Sequence, residues 1–414
     1  VYSFMTQVLV LGAGIVGICC ALSLRRRGYD VTLLDRSPPA SETSYGNAGV
    51  IAQSAIHPLA DPALIPQLPR LLMNRDTRFR LEYPDLPRLT PWLGRFSSNM
   101  NQRDFHRCSN AIADISVDAV SRHQDLMREA GVEHLLNPTG WLKLYRTTAA
   151  LAAVSEKEAD FLEHGVRCQI VGPEEIKTLE PDLLCEPVGG LWMNDSHSVT
   201  SPAALAQGYL ELLLDSGGRF QQASLERLDR GSGEWRVTTD SGKESSKHVV
   251  IALGSWSNQL LEPLGFSLPI VQERGYHMMF NPLQGAKLNR SIADPVSGFV
   301  MTPMDGGVRV TTGCNLAVRE RAPNPVQLEV LLPLIRQTFP LSDELLDNPW
   351  MGRRTSTPDS LPIIGELSGL PGLHVATGHC HLGLTLAPVT GELIADEMDG
   401  NPNILGKPFL PNRF

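Results

Sequence analysis

The chain has no CxxC spacing among its seven cysteines, no apolar run long enough to cross a bilayer, no internal repeat and no excess of positive charge. Each absence removes a class. Without cysteines at ligand spacing there is no zinc ribbon or finger. Seven cysteines in 414 residues give no disulfide framework, so a reducing cytoplasm is expected. Cys19 and Cys20 are adjacent in an apolar stretch and read as buried packing residues. The net charge of −9 argues against a general nucleic-acid binder, which needs a basic face. A membrane span takes about 20 apolar residues, and the best candidate, residues 8–21, is interrupted by Gly12, Gly14 and Gly17. Val1 to Phe4 precede Met5 and are assigned no role. What remains is an ordinary soluble composition, in a length that exceeds one simple core and predicts two intertwined domains.

Residues 7–35 carry a dense pattern. Residues 7–11 (QVLVL) are a short apolar run fit for a buried parallel strand. The turn Gly12-Ala13-Gly14-Ile15-Val16-Gly17 follows, then a helical stretch to Arg27 that Gly28 closes. Residues 31–34 read as a second buried strand ending in Asp35. In such a unit Gly12 makes the tight turn, Gly14 admits a pyrophosphate to the backbone and Gly17 lets the helix pack on the sheet. The helix amino terminus stabilises the phosphate charge. Asp35 accepts hydrogen bonds from ribose hydroxyls, which disfavours NADP. The unit predicts a bound dinucleotide and leaves NAD and FAD level. Residues 41–49 (SETSYGNAG) favour FAD: they form a small polar loop where a nicotinamide enzyme would continue with further βα units. An unremarkable turn-rich loop has the same composition.

Further on, residues 58–100 interleave Arg70, Arg75, Arg78, Arg80, Arg88 and Arg95 with apolar residues. Such a stretch suits an anionic membrane surface; a solvated, partly packed insertion is the plainer reading. Residues 104–130 and 149–164 have helical periodicity, and residues 141–145 and 190–194 read as strands. Residues 201–214 predict a helix, 219–228 and 235–239 a strand pair, and 248–253 a buried strand delivering Gly254 at its carboxyl end. That edge is where ligands of open α/β sheets bind. Residues 275–280 and 308–312 resemble antiparallel strands, and residues 327–339 a helix. Residues 373–398 repeat the order strand, glycine loop, helix; a helix start there can face the flavin edge that gains negative charge on reduction. His379-Cys380-His381 are too close together for a zinc site and lack further ligands, so no metal is expected.

The fingerprint together with SYGNAGVI, VVIALGSWS, GRRTSTPDSLPIIG and TGHCHLGLTLAPVTGELIAD resembles the D-amino-acid oxidase superfamily of FAD-dependent oxidoreductases, and within it the bacterial D-amino-acid dehydrogenase branch. The similarity covers nearly the whole chain, in order. It implies a mixed α/β (α+β) fold: a Rossmann-like FAD-binding domain (residues 5–57, 196–268 and 350–400) intertwined with a smaller antiparallel-sheet substrate domain (58–195 and 269–349).

Residue by residue, the resemblance places Gly12, Gly14 and Gly17, with Ala13, Ile15 and Val16 between them, at the pyrophosphate. Asp35 and Arg36 flank the adenosine ribose. Thr43, Ser44, Asn47, Ala48, Gly49 and Val50 line the flavin, and Leu225 bonds the adenine through its backbone. Ala252, Leu253 and Gly254 contact the ADP portion, and Gly378, His379, Leu382, Gly383, Leu384 and Thr385 surround the pyrimidine. Arg354 matches the arginine that grips the substrate carboxylate, although Thr355 stands where the family has proline and Arg353 is adjacent. A guanidinium fork suits a carboxylate; a structural ion pair is the bland alternative. Tyr276 is a second substrate contact or a packed sheet tyrosine, and His57 and Tyr45 are weaker pocket candidates. Gly352 stands near the position where sarcosine-oxidase relatives carry their flavin-linked cysteine, so FAD is expected to be non-covalent.

The implied activity is oxidation of a D-amino acid to the imino acid, which water hydrolyses to a 2-oxo acid and ammonia. Proline or hydroxyproline would give a cyclic imine. Electrons would pass to a quinone or respiratory acceptor, with peripheral contact at the inner membrane. The alternatives are a glycine- or sarcosine-type oxidase using O2, an NAD-dependent dehydrogenase and a non-catalytic flavin-binding subunit. No obligatory general base is legible.

Overall fold

The computed structural model describes residues 6–414; Met5, where the expected cofactor domain starts, and the four residues before it lie outside them. The opening strand Gln7–Leu11 is buried over four of its five residues, as a parallel strand covered on both faces must be. It is central in a six-stranded sheet of spatial order Arg219–Gln222, Asp30–Asp35, Gln7–Leu11, His248–Ile251, Leu373–Thr377, Ile363–Glu366. All neighbours are parallel except the last pair.

The helix Ile15–Arg26 returns across this sheet and packs on Gly383–Met398. Gly391 makes the closeness possible: a Cβ there would overlap the Cys19 carbonyl oxygen and lie 2.7 Å from its carbon. Gly391→Ala is therefore expected to cost about 1–3 kcal/mol through overpacking, read as a lowered unfolding temperature of the holoprotein. An unchanged midpoint would mean that the two helices separate freely.

A second assembly of ten strands, mostly antiparallel, is built around the long strand Val271–Pro282. It pairs with Gly307–Leu316 on one side and with Trp350–Ser356 and Leu341–Leu345 on the other. The Trp350–Ser356 ladder sets Glu273 opposite Arg354 and Gly275 opposite Gly352. The Trp350–Ser356 strand also touches the first unit, since Cys380 N–H donates to Thr355 O at 2.9 Å and Ser356 forms a bridge with His379.

Several elements differ from the sequence reading. Residues 219–228 are two strands rather than one: Arg219–Gln222 joins the parallel sheet, and Leu225–Arg230 forms a separate small sheet with Trp235–Thr239 and Gly242–Ser246. Ala223 marks the division, its N–H donating to Asp35 O at 2.7 Å. The helix expected over 104–130 is broken into Gln102–Ser116 and Ala119–Glu129. Within residues 58–100, Arg78 forms a two-point ion pair with buried Asp76, and Arg70 and Arg80 pair with Asp76 and Glu82. Half of that arginine series is thus anchored to the protein itself. No described helix is long and apolar enough to cross a membrane.

Candidate active site

One cavity of about 770 Å³ runs between the two sheets, within the range of cofactor and ligand sites. It is walled at one end by Gly12, Gly14, Asp35 and Arg36 and at the other by Glu273, Tyr276, Arg354 and His381.

The glycine turn forms the first end because it is bare backbone. Gly12 has φ +110, and a Cβ there would lie 2.5 Å from Ala252 O. Gly17 has no room either: its Cβ would overlap Gly12 O. Asp35 shapes the turn as well as facing the cavity. Its Oδ2 accepts the Ala13 N–H at 2.7 Å and its Oδ1 the Ser37 N–H at 2.9 Å, which leaves lone pairs on both oxygens for further donors. Ser44 Oγ accepts the Ile15 N–H at 3.0 Å, tying the loop after the second strand to the helix start.

That loop is held from the far sheet. Arg309 Nη1 donates to Asn47 O at 2.9 Å and Tyr45 O at 3.1 Å, and His277 Nδ1 lies 2.9 Å from Gly46 O. His277 stacks on Trp350, whose ring occupies the space a Cβ at Gly46 would need. Burial depresses the His277 pKa to about 4, so it binds as the neutral ring. Asn47 closes its own turn, accepting the Gly49 N–H at 2.7 Å.

Of the residues singled out for the cofactor, Gly12, Ala13, Gly14, Ile15, Val16, Asp35, Arg36, Thr43, Ser44, Asn47, Ala48 and Val50 line this cavity. Leu225, Ala252, Leu253, Gly254, Gly378, His379, Gly383 and Leu384 line it too. Gly17, Gly49, Leu382 and Thr385 stand behind the wall. Thr385 Oγ1 accepts the Ala52 N–H at 2.9 Å, and Gly49 (φ +70) turns the chain against Val199. His57 is held by Asp160 at 2.5 Å, off the cavity wall.

Adjacent residues of a strand point to opposite faces, and this separates the two arginines. Arg353 lies over the Trp256 ring, which Arg36 also covers, toward the end walled by Asp35 and Arg36. Arg354 turns the other way. Its Nη1 donates to Glu273 Oε1 and to Gly313 O, both at 2.8 Å. Its Nε and Nη2 have no recorded partner among the described residues, and the side chain keeps 25% of its surface open. Glu273 Oε2 accepts from Ser356 Oγ at 3.0 Å. The Tyr276 hydroxyl accepts the Asn324 N–H at 2.8 Å and sits 3.5 Å from Asn315 Oδ1.

The end wall is completed by the loop before Gly383–Met398. His379 is buried, bonded to Thr390 Oγ1 at 2.9 Å, with its pKa pushed down to about 4 by burial. Glu273 and His381 were not singled out as site residues from the sequence. Glu273 had no clear signal: it stands with Gln272 and Arg274 at the polar start of the strand Val271–Pro282, and only the fold shows that Glu273 and Arg274 are buried. Arg274 is consumed by the carbonyls of Val318 and Ala322, so only Glu273 serves the cavity.

The geometry fits an extended dinucleotide: side-chain-free turns at one end, a long enclosed wall, and a charged pocket at the other. No group of three or more potential ligand residues is placed to hold a metal among the described residues. Residues 7–397 match the family model described as FAD dependent oxidoreductase. A D-amino-acid oxidase of Bradyrhizobium diazoefficiens is 30% identical over 422 residues, covering 99% of both chains. A D-amino acid dehydrogenase of Methylobacterium sp. (strain 4-46) is 32% identical over 429 residues, again 99% of both. Glycine oxidase from Geobacillus kaustophilus has the same fold, with a TM-score of 0.77 at 20% identity over 99% of this chain and 100% of its own. L-proline dehydrogenase from P. horikoshii gives 0.73 at 19% identity, over 99% and 98%. The chain is an enzyme of the FAD-dependent oxidoreductase family.

Proposed function

We propose that this protein oxidises a D-amino acid and passes the electrons to a quinone or another respiratory acceptor. The observation that carries the reading is Arg354, which lines the cavity end opposite the glycine turn and whose Nε and Nη2 bond no described residue. Its ion pair with Glu273 sets a cation and an anion side by side, complementary to the carboxylate and ammonium that an amino acid carries on neighbouring atoms. Bound along the wall, FAD supplies a two-electron acceptor, held non-covalently since Gly352 stands near the relatives' attachment position.

In this reading the backbone at Gly12 and Gly14 faces the pyrophosphate, and Asp35 takes the ribose hydroxyls. Thr43, Ser44, Asn47 and the loop 378–385 hold the flavin end. Arg354 grips the carboxylate and so fixes where the Cα–H points, the main contribution a protein makes to such chemistry. Tyr276 borders the substrate, its hydroxyl already oriented by Asn324. Primary amines would give a 2-oxo acid and ammonia after hydrolysis, and cyclic secondary amines a cyclic imine.

A respiratory acceptor is supported by the surface of residues 58–100. Arg75, Arg88 and Arg95 are exposed and make no ion pair among the described residues. Ile65, Leu72, Met73 and Tyr83 are exposed on the same segment. Mixed basic and apolar exposure suits peripheral contact with an anionic membrane. The test is anaerobic bleaching of the flavin by a panel of D- and L-amino acids with proline and hydroxyproline, followed by re-oxidation with a quinone or with O2. Stoichiometric peroxide at a high rate would favour the oxidase alternative.

A further inference from the structure

His381 occupies an unusual place on the cavity wall. It is exposed, while its neighbours Cys380 and Leu382 are buried, and its open face belongs to the cavity. Neither ring nitrogen has a hydrogen-bond partner among the described residues. The backbone just before it is strained at Cys380, a non-glycine residue at φ +52, while Gly378 takes φ +77 as only glycine does freely. Such conformations persist where the surroundings hold them, and they gather at functional sites. Here they are held by Cys380 N–H on Thr355 O, next to Arg354.

We propose that His381 is the catalytic residue that accepts the proton of the substrate's α-ammonium group. The assignment rests on the amino-acid reading above. An amino acid enters as a zwitterion, and its ammonium nitrogen has no lone pair with which to form C=N. One N–H bond breaks, its electron pair stays on nitrogen, and the proton bonds to the free ring nitrogen of His381, giving an imidazolium and a neutral amine. The Cα–H bond can then break with its electron pair going to FAD as the oxidant, while the amine lone pair forms C=N. The product leaves as an iminium, and the imidazolium later returns its proton to water.

The surroundings set the protonation state from which that exchange starts. The charged groups acting on the ring come from three strands: Glu273 on Val271–Pro282, Arg354 on Trp350–Ser356 and Lys143 on Trp141–Tyr145. Desolvation inside the cavity lowers the His381 pKa most; Glu273 opposes it, and Arg354 and Lys143 add to it. The net direction is below the ordinary histidine value, so the ring is neutral at neutral pH before the substrate enters, and Glu273 is the one neighbour that favours its protonated form. Once protonated, the imidazolium has the Glu273 carboxylate as counter-charge. His379 on the same loop is buried, neutral and committed to Thr390.

His381→Asn in the FAD-loaded protein is the test, with His381→Gln as a second variant should the first fold poorly. At pH 7 flavin reduction by the best amino acid should slow by about 100-fold, the usual scale of general-base contributions. Above the amine's own pKa, where the substrate arrives neutral, the loss should shrink to within about threefold. A second readout needs no turnover: 2-aminoisobutyrate has no Cα–H to lose, and its binding is read from perturbation of the flavin spectrum. In the wild type its affinity should fall on the acid side, where a protonated His381 repels the ammonium, and this limb should vanish in the variant. An equal loss at every pH, or the same acid limb in both proteins, would overturn the assignment. Wild-type flavin that no amino acid bleaches would instead remove the amino-acid reading beneath it.

Discussion

Arg354→Ala should raise the KM for the amino acid by about 100-fold or more while FAD stays bound. Truncating one side of a desolvated charge pair costs about 2–5 kcal/mol, and each 1.4 kcal/mol is a factor of about ten. The substrate loses its carboxylate anchor, and Glu273 loses the guanidinium that neutralises it at 2.8 Å. The second effect makes the single variant ambiguous, because a purely structural ion pair would also disturb the pocket. Arg354→Ala/Glu273→Gln separates the two. It removes the unpaired buried carboxylate and should recover much of the lost stability. If Arg354 is the carboxylate ligand, KM in the double variant stays well above that of Glu273→Gln alone. A KM equal to that of Glu273→Gln alone, with stability recovered, would leave Arg354 as a scaffold residue only. Arg354→Lys should recover little, since a point charge does not replace a planar fork.

The second large effect is expected at the opposite end of the cavity. Gly17→Ala should yield a protein without FAD, much of it insoluble. The added methyl would overlap Gly12 O and lie 3.0 Å from Gly12 C, both backbone atoms of the turn itself. No rotamer relieves a clash between a Cβ and main chain, so either the helix moves off the sheet or the turn opens. A loss of more than about 4 kcal/mol belongs to this class of defect. Absorbance of the purified protein reads the result: colourless protein is expected, and yellow protein with wild-type stability would show that the turn is looser than described.

The first unit was legible because everything that defines it is local. Strand, glycine turn, helix, strand and acid lie within residues 7–35, and the periodicity of each element is visible directly. Residues 141–145 were likewise legible as a strand. The reading lost accuracy where partners decide structure. Residues 219–228 form one apolar-polar pattern, yet its halves serve different sheets, the first paired with the distant strand Asp30–Asp35. Glu273 and Arg354 are 81 residues apart, and the ladder register that aligns them has no local signature. His381 looked like part of a discarded metal motif, because only the assembled cavity shows which way it faces. For the arginines of residues 58–100 the plainer reading, a partly packed insertion, holds for Arg78 and Arg80, whose counter-charges Asp76 and Glu82 lie two residues away.

Anaerobic mixing of the yellow holoprotein with amino acids of both hands tests the central claim most directly, since it needs no assumption about the natural acceptor. Rapid bleaching by one or more D-amino acids, with the matching L-forms inert, is the predicted result; Arg354→Ala should bleach only at far higher substrate concentration. A flavin that none of the panel reduces would contradict the account, and so would one reduced as readily by amines that lack a carboxylate.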